Sequence, residues 1–103
     1  MKNLMIAGLL ALSASACTWV EPTAGGSKVT LVKPVHVSQC QPLGNITTNT
    51  KADVAGVMRS EEKVAAELLD LARNRAATMG GDTLVAEGPP AGGSQAFRVY
   101  RCG

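Results

Sequence analysis

Four residues of this 103-residue chain carry side chains suited to covalent or metal chemistry: Cys17, Cys40, Cys102 and the single histidine, His36. His36 and Cys40 stand four residues apart, and Cys102 supplies a second thiol. Together they would offer one imidazole and two thiolates, a donor set suited to zinc or to a redox centre. If residues 36–40 are extended, at ~3.3 Å per residue, the two ends lie roughly 13 Å apart, too far for one ion. A Cys–His nucleophile meets the same distance, and a disulfide would remove its thiolate. Glu61 and Glu62 could pass for an acidic pair, but acids in the first turn of a helix complement its dipole more simply. No Ser-His-Asp set, P-loop or dinucleotide fingerprint is present in the sequence. The expectation is therefore no catalytic residue, no cofactor and no enzyme.

Cys17 belongs to a different chemistry. Met1-Lys2-Asn3 is a short positive start, Leu4–Leu12 an apolar stretch, and Ser13-Ala14-Ser15-Ala16 a run of small residues. That order is a secretory signal. The apolar stretch is about half the ~20 residues that a membrane-spanning helix needs. Ala14-Ser15-Ala16-Cys17 resembles the bacterial lipobox, in which the cysteine thiol is acylated and the bond before it is cut. Each buried CH₂ then contributes ~0.8 kcal/mol, so two or more chains anchor stably. Thr18 in place of Asp points, by resemblance to enterobacterial lipoproteins, to the outer membrane. The expected partner through this end is the membrane, by palmitate-type acylation, with the domain facing the periplasm.

Cleavage leaves 87 residues with nine basic and eight acidic side chains, spread along the chain. That balance excludes a nucleic-acid footprint. Thr18–Ser27, TWVEPTAGGS, reads as a flexible tether. The organisation is then 1–16 signal peptide, 17–27 lipidated cysteine and tether, and 28–103 domain. A domain of that size commonly needs a staple. With Cys17 lipidated, Cys40 and Cys102 form an even pair in an oxidising compartment. The disulfide is the first reading, and the metal or redox set of His36, Cys40 and Cys102 is the alternative. Closing so long a loop is worth about 4 kcal/mol at most.

The elements that must position these groups follow from pattern. Lys28–Lys33 alternates Val29 and Leu31 against Thr30 and reads as a strand, which Val35-His36-Val37 extends past Pro34. Leu43–Thr50 is a second strand, and residues 51–59 a loop. Ser60–Met79 is the clearest element: an N-cap serine, two acids in the first turn, and an apolar face of Val64, Leu68, Leu71, Ala72, Ala76 and Met79. Gly80-Gly81 is its stop. Thr83–Glu87 and Gln95–Cys102 are strands, joined by a Gly-Pro-Pro connector over 88–93. The order β-β-α-β-β predicts a two-layer α+β domain, with one helix on a small, mainly antiparallel sheet braced by one disulfide.

Leu71-Ala72-Arg73-Asn74-Arg75-Ala76-Ala77-Thr78-Met79-Gly80-Gly81-Asp82-Thr83, Cys40-Gln41 with Leu43-Gly44, and Val99-Tyr100-Arg101-Cys102 resemble domain-of-unknown-function family 4156, a family of small bacterial lipoproteins. More distantly, the arrangement is similar to the outer-membrane lipoprotein sensor of the Rcs envelope-stress relay. This chain departs from that sensor in having one cysteine pair in the domain and a shorter, less proline-rich tether. The resemblance implies location rather than activity. Candidate binding residues are Arg98 and Arg101 on the last strand, for anionic envelope polymers or lipid head groups, and Asn74 and Arg75 in the family-like helix. The functional expectation is a non-enzymatic envelope lipoprotein that binds a protein or envelope component.

Overall fold

The computed structural model describes residues 22–103. The signal peptide, Cys17, Thr18, Trp19 and the first part of the tether lie outside the described residues.

Ser60–Met79 was the clearest pattern, and it gives the helix α1, Glu61–Thr78. The Ser60 side chain caps it by accepting the Lys63 amide at 3.1 Å. At its other end the Gly81 amide donates to the Ala76 carbonyl and the Gly80 amide to that of Ala77. This paired closure needs a residue at positive φ, and Gly80 supplies it at +82°. Val64, Leu68, Ala72 and Ala76 are buried along one stripe.

That stripe covers a four-stranded mixed sheet. Its strands are β1 (Thr30–Leu31), β2 (Gln41–Asn49), β5 (Thr83–Ala86) and β6 (Ser94–Arg101), in the order β1-β5-β6-β2. The other two strands, β3 (Asp53–Val54) and β4 (Val57–Met58), pair only with each other. β6 is antiparallel to both of its neighbours, and β1 runs parallel to β5. The architecture is thus the expected α+β sandwich of one helix on a mainly antiparallel sheet. Val29, Ile46, Leu84, Phe97 and Val99 meet Ala72 and Ala76 in the core. The buried Thr48 hydroxyl donates to the Leu68 carbonyl at 3.0 Å, tying β2 to the helix.

Three local expectations are corrected. Val35-His36-Val37 does not extend β1. Pro34–Val37 is a 3-10 turn with Pro34 at its first position, where proline's fixed φ suits a helical start. β1 itself shrinks to two residues, because the chain turns at Lys33, whose carbonyl accepts the His36 amide at 2.9 Å. Residues 51–59 are not a plain loop but contain the β3–β4 hairpin.

The step from β1 to β2 must pass β5 and β6. A right-handed crossover puts residues 32–40 on the face away from the helix. Val85, which alternates with the core residue Leu84 and so faces that side, is 4% exposed, as a covered position should be. Val37 in the crossover is buried as well.

Ordered contacts also begin before Lys28. The Thr23 amide donates to Asn74 Oδ1 at 2.8 Å, and Gly26–Lys28 forms a 3-10 turn against α1. Gly26 is buried there, and a Cβ on it would come within 2.2 Å of Asn74 Oδ1. The end of the expected tether is therefore part of the folded body.

These connections give the molecule two ends. The proximal end gathers the docked Thr23–Lys28 segment, the C-terminus of α1, Cys40 and Cys102. The distal end gathers the N-terminus of α1, the β3–β4 hairpin and the connector from Gly88 to Gly93.

Candidate functional site

The distal end is built by a salt bridge that the sequence did not announce. β2 ends at Asn49, and the Thr50 amide donates to the Gly93 carbonyl at 2.8 Å, joining both distal loops. The chain then folds back at Ala55-Gly56, with φ of 53° and 80°, the conformation of a tight hairpin turn. The hairpin returns along α1 through Arg59. Its guanidinium pairs with both oxygens of Glu67, with Nη1 at 3.2 Å from Oε1, and Nη1 also donates to the Lys51 carbonyl at 3.0 Å. The Thr50 hydroxyl donates to the same Glu67 Oε1 at 2.8 Å. Both charged side chains are largely shielded, at 12% and 13% exposed. The Arg59 hydrogen bond, aided by Thr50, holds the Glu67 carboxyl below the ordinary carboxylate range, and the Arg59 guanidinium is raised by the same contact.

This anchoring fixes a hairpin whose apolar side chains face out. Val54, Val57 and Met58 are 50%, 69% and 75% exposed. Clefts lie on both sides of it. One, of about 480 Å³, has Met58, Val64, Pro89 and Pro90 in its lining and Glu61 and Glu62 at its rim. The other, of about 580 Å³, runs between the hairpin and α1 along Val54, Val57, Lys63, Ala66 and Asp70. Neither lining contains histidine or cysteine. Apolar walls with a few charges are of a kind that can pack against side chains of another molecule.

The expected site residues are distributed differently. Cys40 and Cys102 are joined by a disulfide, with Cα atoms 4.4 Å apart and a sequence separation of 62. It closes the end of the β2–β6 ladder, next to the Gln41–Arg101 pair. The distance argument against a His36–Cys40 site does not hold. The 3-10 turn folds this segment back until Cys40 Sγ lies 3.9 Å from the His36 carbonyl oxygen. What stands against that site is the bond itself, which occupies both sulfurs. His36 is exposed on the crossover. Among the described residues, no cluster of three or more His, Cys, Asp or Glu side chains is placed to hold a metal ion. No helix of the described residues is long and apolar enough to cross a membrane.

The four candidate binding residues do not form one patch. Arg98 lies mid-sheet opposite Val85 and Asn45, with Nε 3.7 Å from Glu87 Oε2. A hydrogen bond with Tyr100 is the main reason its guanidinium is held above its ordinary value. Arg101, three residues on, falls on the other face, beside Gly80 at the end of α1. Asn74 is committed to the docked segment through Thr23. Arg75 is exposed in the last turn of α1.

Sequence reasoning missed the distal hairpin, Arg59 and Glu67. The signals available were Val-Ala-Gly-Val, with glycine at the second turn position, and an arginine immediately before the helix cap. An alanine in the left-handed region is rare enough that the turn did not read as a hairpin.

No curated protein and no solved structure matches the chain. The more distant likeness to the Rcs sensor thus stays an expectation from sequence. Residues 20–102 match the model of a family described as a domain of unknown function, DUF4156. That span takes in the docked segment, α1 with its Gly-Gly closure and both bridged cysteines, and by it the chain belongs to the DUF4156 family.

Proposed function

We propose that this chain is a non-enzymatic bacterial envelope lipoprotein, acylated at Cys17 and facing the periplasm, whose distal end binds a protein or envelope component. Support for anchoring comes from the sequence: a short signal ending in Ala14-Ser15-Ala16-Cys17. Outer-membrane placement rests on Thr18. The observation that carries the binding reading is the distal hairpin. Three exposed apolar side chains held in place by the Arg59–Glu67 pair, beside two apolar clefts, have no role in the core. Fixed exposed apolar groups of this kind mark interaction surfaces.

The test pairs mass with cross-linking. Acyl chains on Cys17, in protein taken from the membrane fraction, are the expected mass shift. A photo-crosslinker at Met58 should give one discrete adduct in the intact envelope, and the same probe at Arg98 should not. Equal adducts from both positions would remove the distal end as the binding site. The alternative, a metal or redox module of His36, Cys40 and Cys102, requires free thiols. Alkylation of both cysteines without reductant, together with a native mass shift equal to an ion, would establish it instead.

A further inference from the structure

The docked Thr23–Lys28 segment changes how far the domain can stand from its anchor. With Thr23 held by Asn74 and Gly26 buried against α1, the leash, meaning the residues between Cys17 and the docked segment, is residues 18–22. Six Cα steps separate Cys17 from Thr23, at most roughly 20 Å when fully extended. The 18-residue helix α1 is itself about 27 Å long at 1.5 Å per residue. An anchor shorter than the helix it holds keeps the proximal end at the bilayer surface.

The charge at that end is not neutral. Lys28, Arg75 and Arg101 are all exposed. Lys28 closes the docked turn, Arg75 lies one residue after Asn74, and Arg101 reaches the helix end, where a Cβ on Gly80 would lie 3.8 Å from its Nη1. Asp82, an acid at this end, turns its carboxylate onto the Cys102 and Gly103 amides at 2.8 and 3.0 Å. The leash adds one acid, Glu21. The distal end, by contrast, carries Asp53, Glu61 and Glu62 against Lys51 and Lys63, an excess of acid. From the short leash and this polarity we infer that Lys28, Arg75 and Arg101 form a contact surface for anionic lipid head groups, which seats the domain with its proximal end down. This rests on acylation of Cys17. Seated so, the distal hairpin lies about 20 Å further out along α1, clear of the bilayer and open to the periplasm.

The experiment uses the full acylated chain in nanodiscs whose lipid head groups carry gadolinium, with amide broadening read by NMR. Two bilayers are compared, phosphatidylcholine alone and phosphatidylcholine with phosphatidylglycerol. A variant with a Gly-Ser spacer twice the leash length, inserted before Thr23, separates attraction from mere tethering. On the anionic bilayer that variant should still show broadening at Lys28, Arg75 and Arg101 and little at Val54, Val57 and Met58. On phosphatidylcholine alone the broadening should fall away. Changing each cation to glutamine should lower the bound-to-free ratio about fivefold at low salt, and all three together about a hundredfold. These residues are exposed, so an unchanged amide spectrum elsewhere checks the fold. Loss of proximal broadening in the spacer variant on the anionic bilayer would overturn the inference. So would indifference to K28Q, R75Q and R101Q combined, or stronger broadening at the hairpin. The mass of the chain is taken first. Absence of acyl chains would overturn the anchoring reading and the leash with it, whereas an acylated chain that fails the broadening test overturns the contact surface alone.

Discussion

The proximal and distal ends of this domain are closed by opposite means. At the proximal end the chain is closed by contacts tied inward. Cys40 and Cys102 are bonded, Gly81 sits so close to β6 that a Cβ would lie 2.4 Å from Val99 Cγ1, and Asn74 is spent on the docked segment. At the distal end one ion pair holds a two-stranded hairpin whose valines and methionine look outward. Isolated two-stranded hairpins are marginal in water, so this one depends on Arg59 and Glu67 for its place. The contrast teaches where stability and recognition are divided. Changes at the proximal end should be felt by the whole fold, and changes at the distal end by a partner.

Breaking the Cys40–Cys102 bond tests that division most severely. C40S with C102S should lower the unfolding free energy by about 4 kcal/mol, the chain-entropy value for a loop of this length, read by urea denaturation. A loss confined to the ends of β2 and β6 would mean that the bond is local trim. Next comes Gly81→Ala, which forces a methyl against Val99 and the Tyr100 carbonyl. Overpacking of this kind costs roughly 1–3 kcal/mol, and the same thermal or urea measurement should show it as a global change.

At the distal end, Glu67→Gln keeps the shape and removes the charge. Protection of the hairpin amides in hydrogen exchange should fall while that of β5 and β6 stays. The pH dependence sharpens this. Both Glu67 and Asp82 have carboxyls held below their ordinary values, Glu67 chiefly by Arg59 and Asp82 chiefly by the Cys102 amide. A depressed carboxyl contributes stability that is full above its unfolded pKa and is lost as pH falls through the folded one. Stability should therefore be level above about pH 5 and decline below about pH 4. Glu67→Gln should flatten the decline at the hairpin, and Asp82→Asn the decline at the disulfide end. The smallest effect on the fold is expected from Val57→Ser with Met58→Ser, within about 0.5 kcal/mol for exposed positions. That pair should instead abolish the envelope adduct of a photo-crosslinker placed at Val54, the third exposed apolar position of the hairpin.

Much of this was legible in residue pattern. Ser60, the acids after it, the three-and-four spacing from Val64 to Ala76 and Gly80-Gly81 specify α1 to within a residue at each end, because cap, stripe and stop agree. The bridge was legible from parity once Cys17 was set aside. The parallel seat of β1 was not, since a two-residue strand takes its partner from the crossover behind the sheet rather than from its own alternation. The docked segment was hidden by composition. Thr-Ala-Gly-Gly-Ser looks like free linker, yet glycine is there because Asn74 leaves no room for a Cβ. The distal hairpin was hidden by Ala55, which occupies a backbone region that usually calls for asparagine or glycine.

The position of β6 has a kinetic consequence. It is the last strand in sequence and lies between β5 and β2. Until it arrives, β2 has no partner and β5 has only the two residues of β1. Nothing resembling the final sheet can form on a growing chain, because the pairings that build it span nearly the whole domain. A chain cut before Ser94 should accordingly show no protected sheet amides. Late closure of this kind leaves the polypeptide without a sheet until its final strand is present.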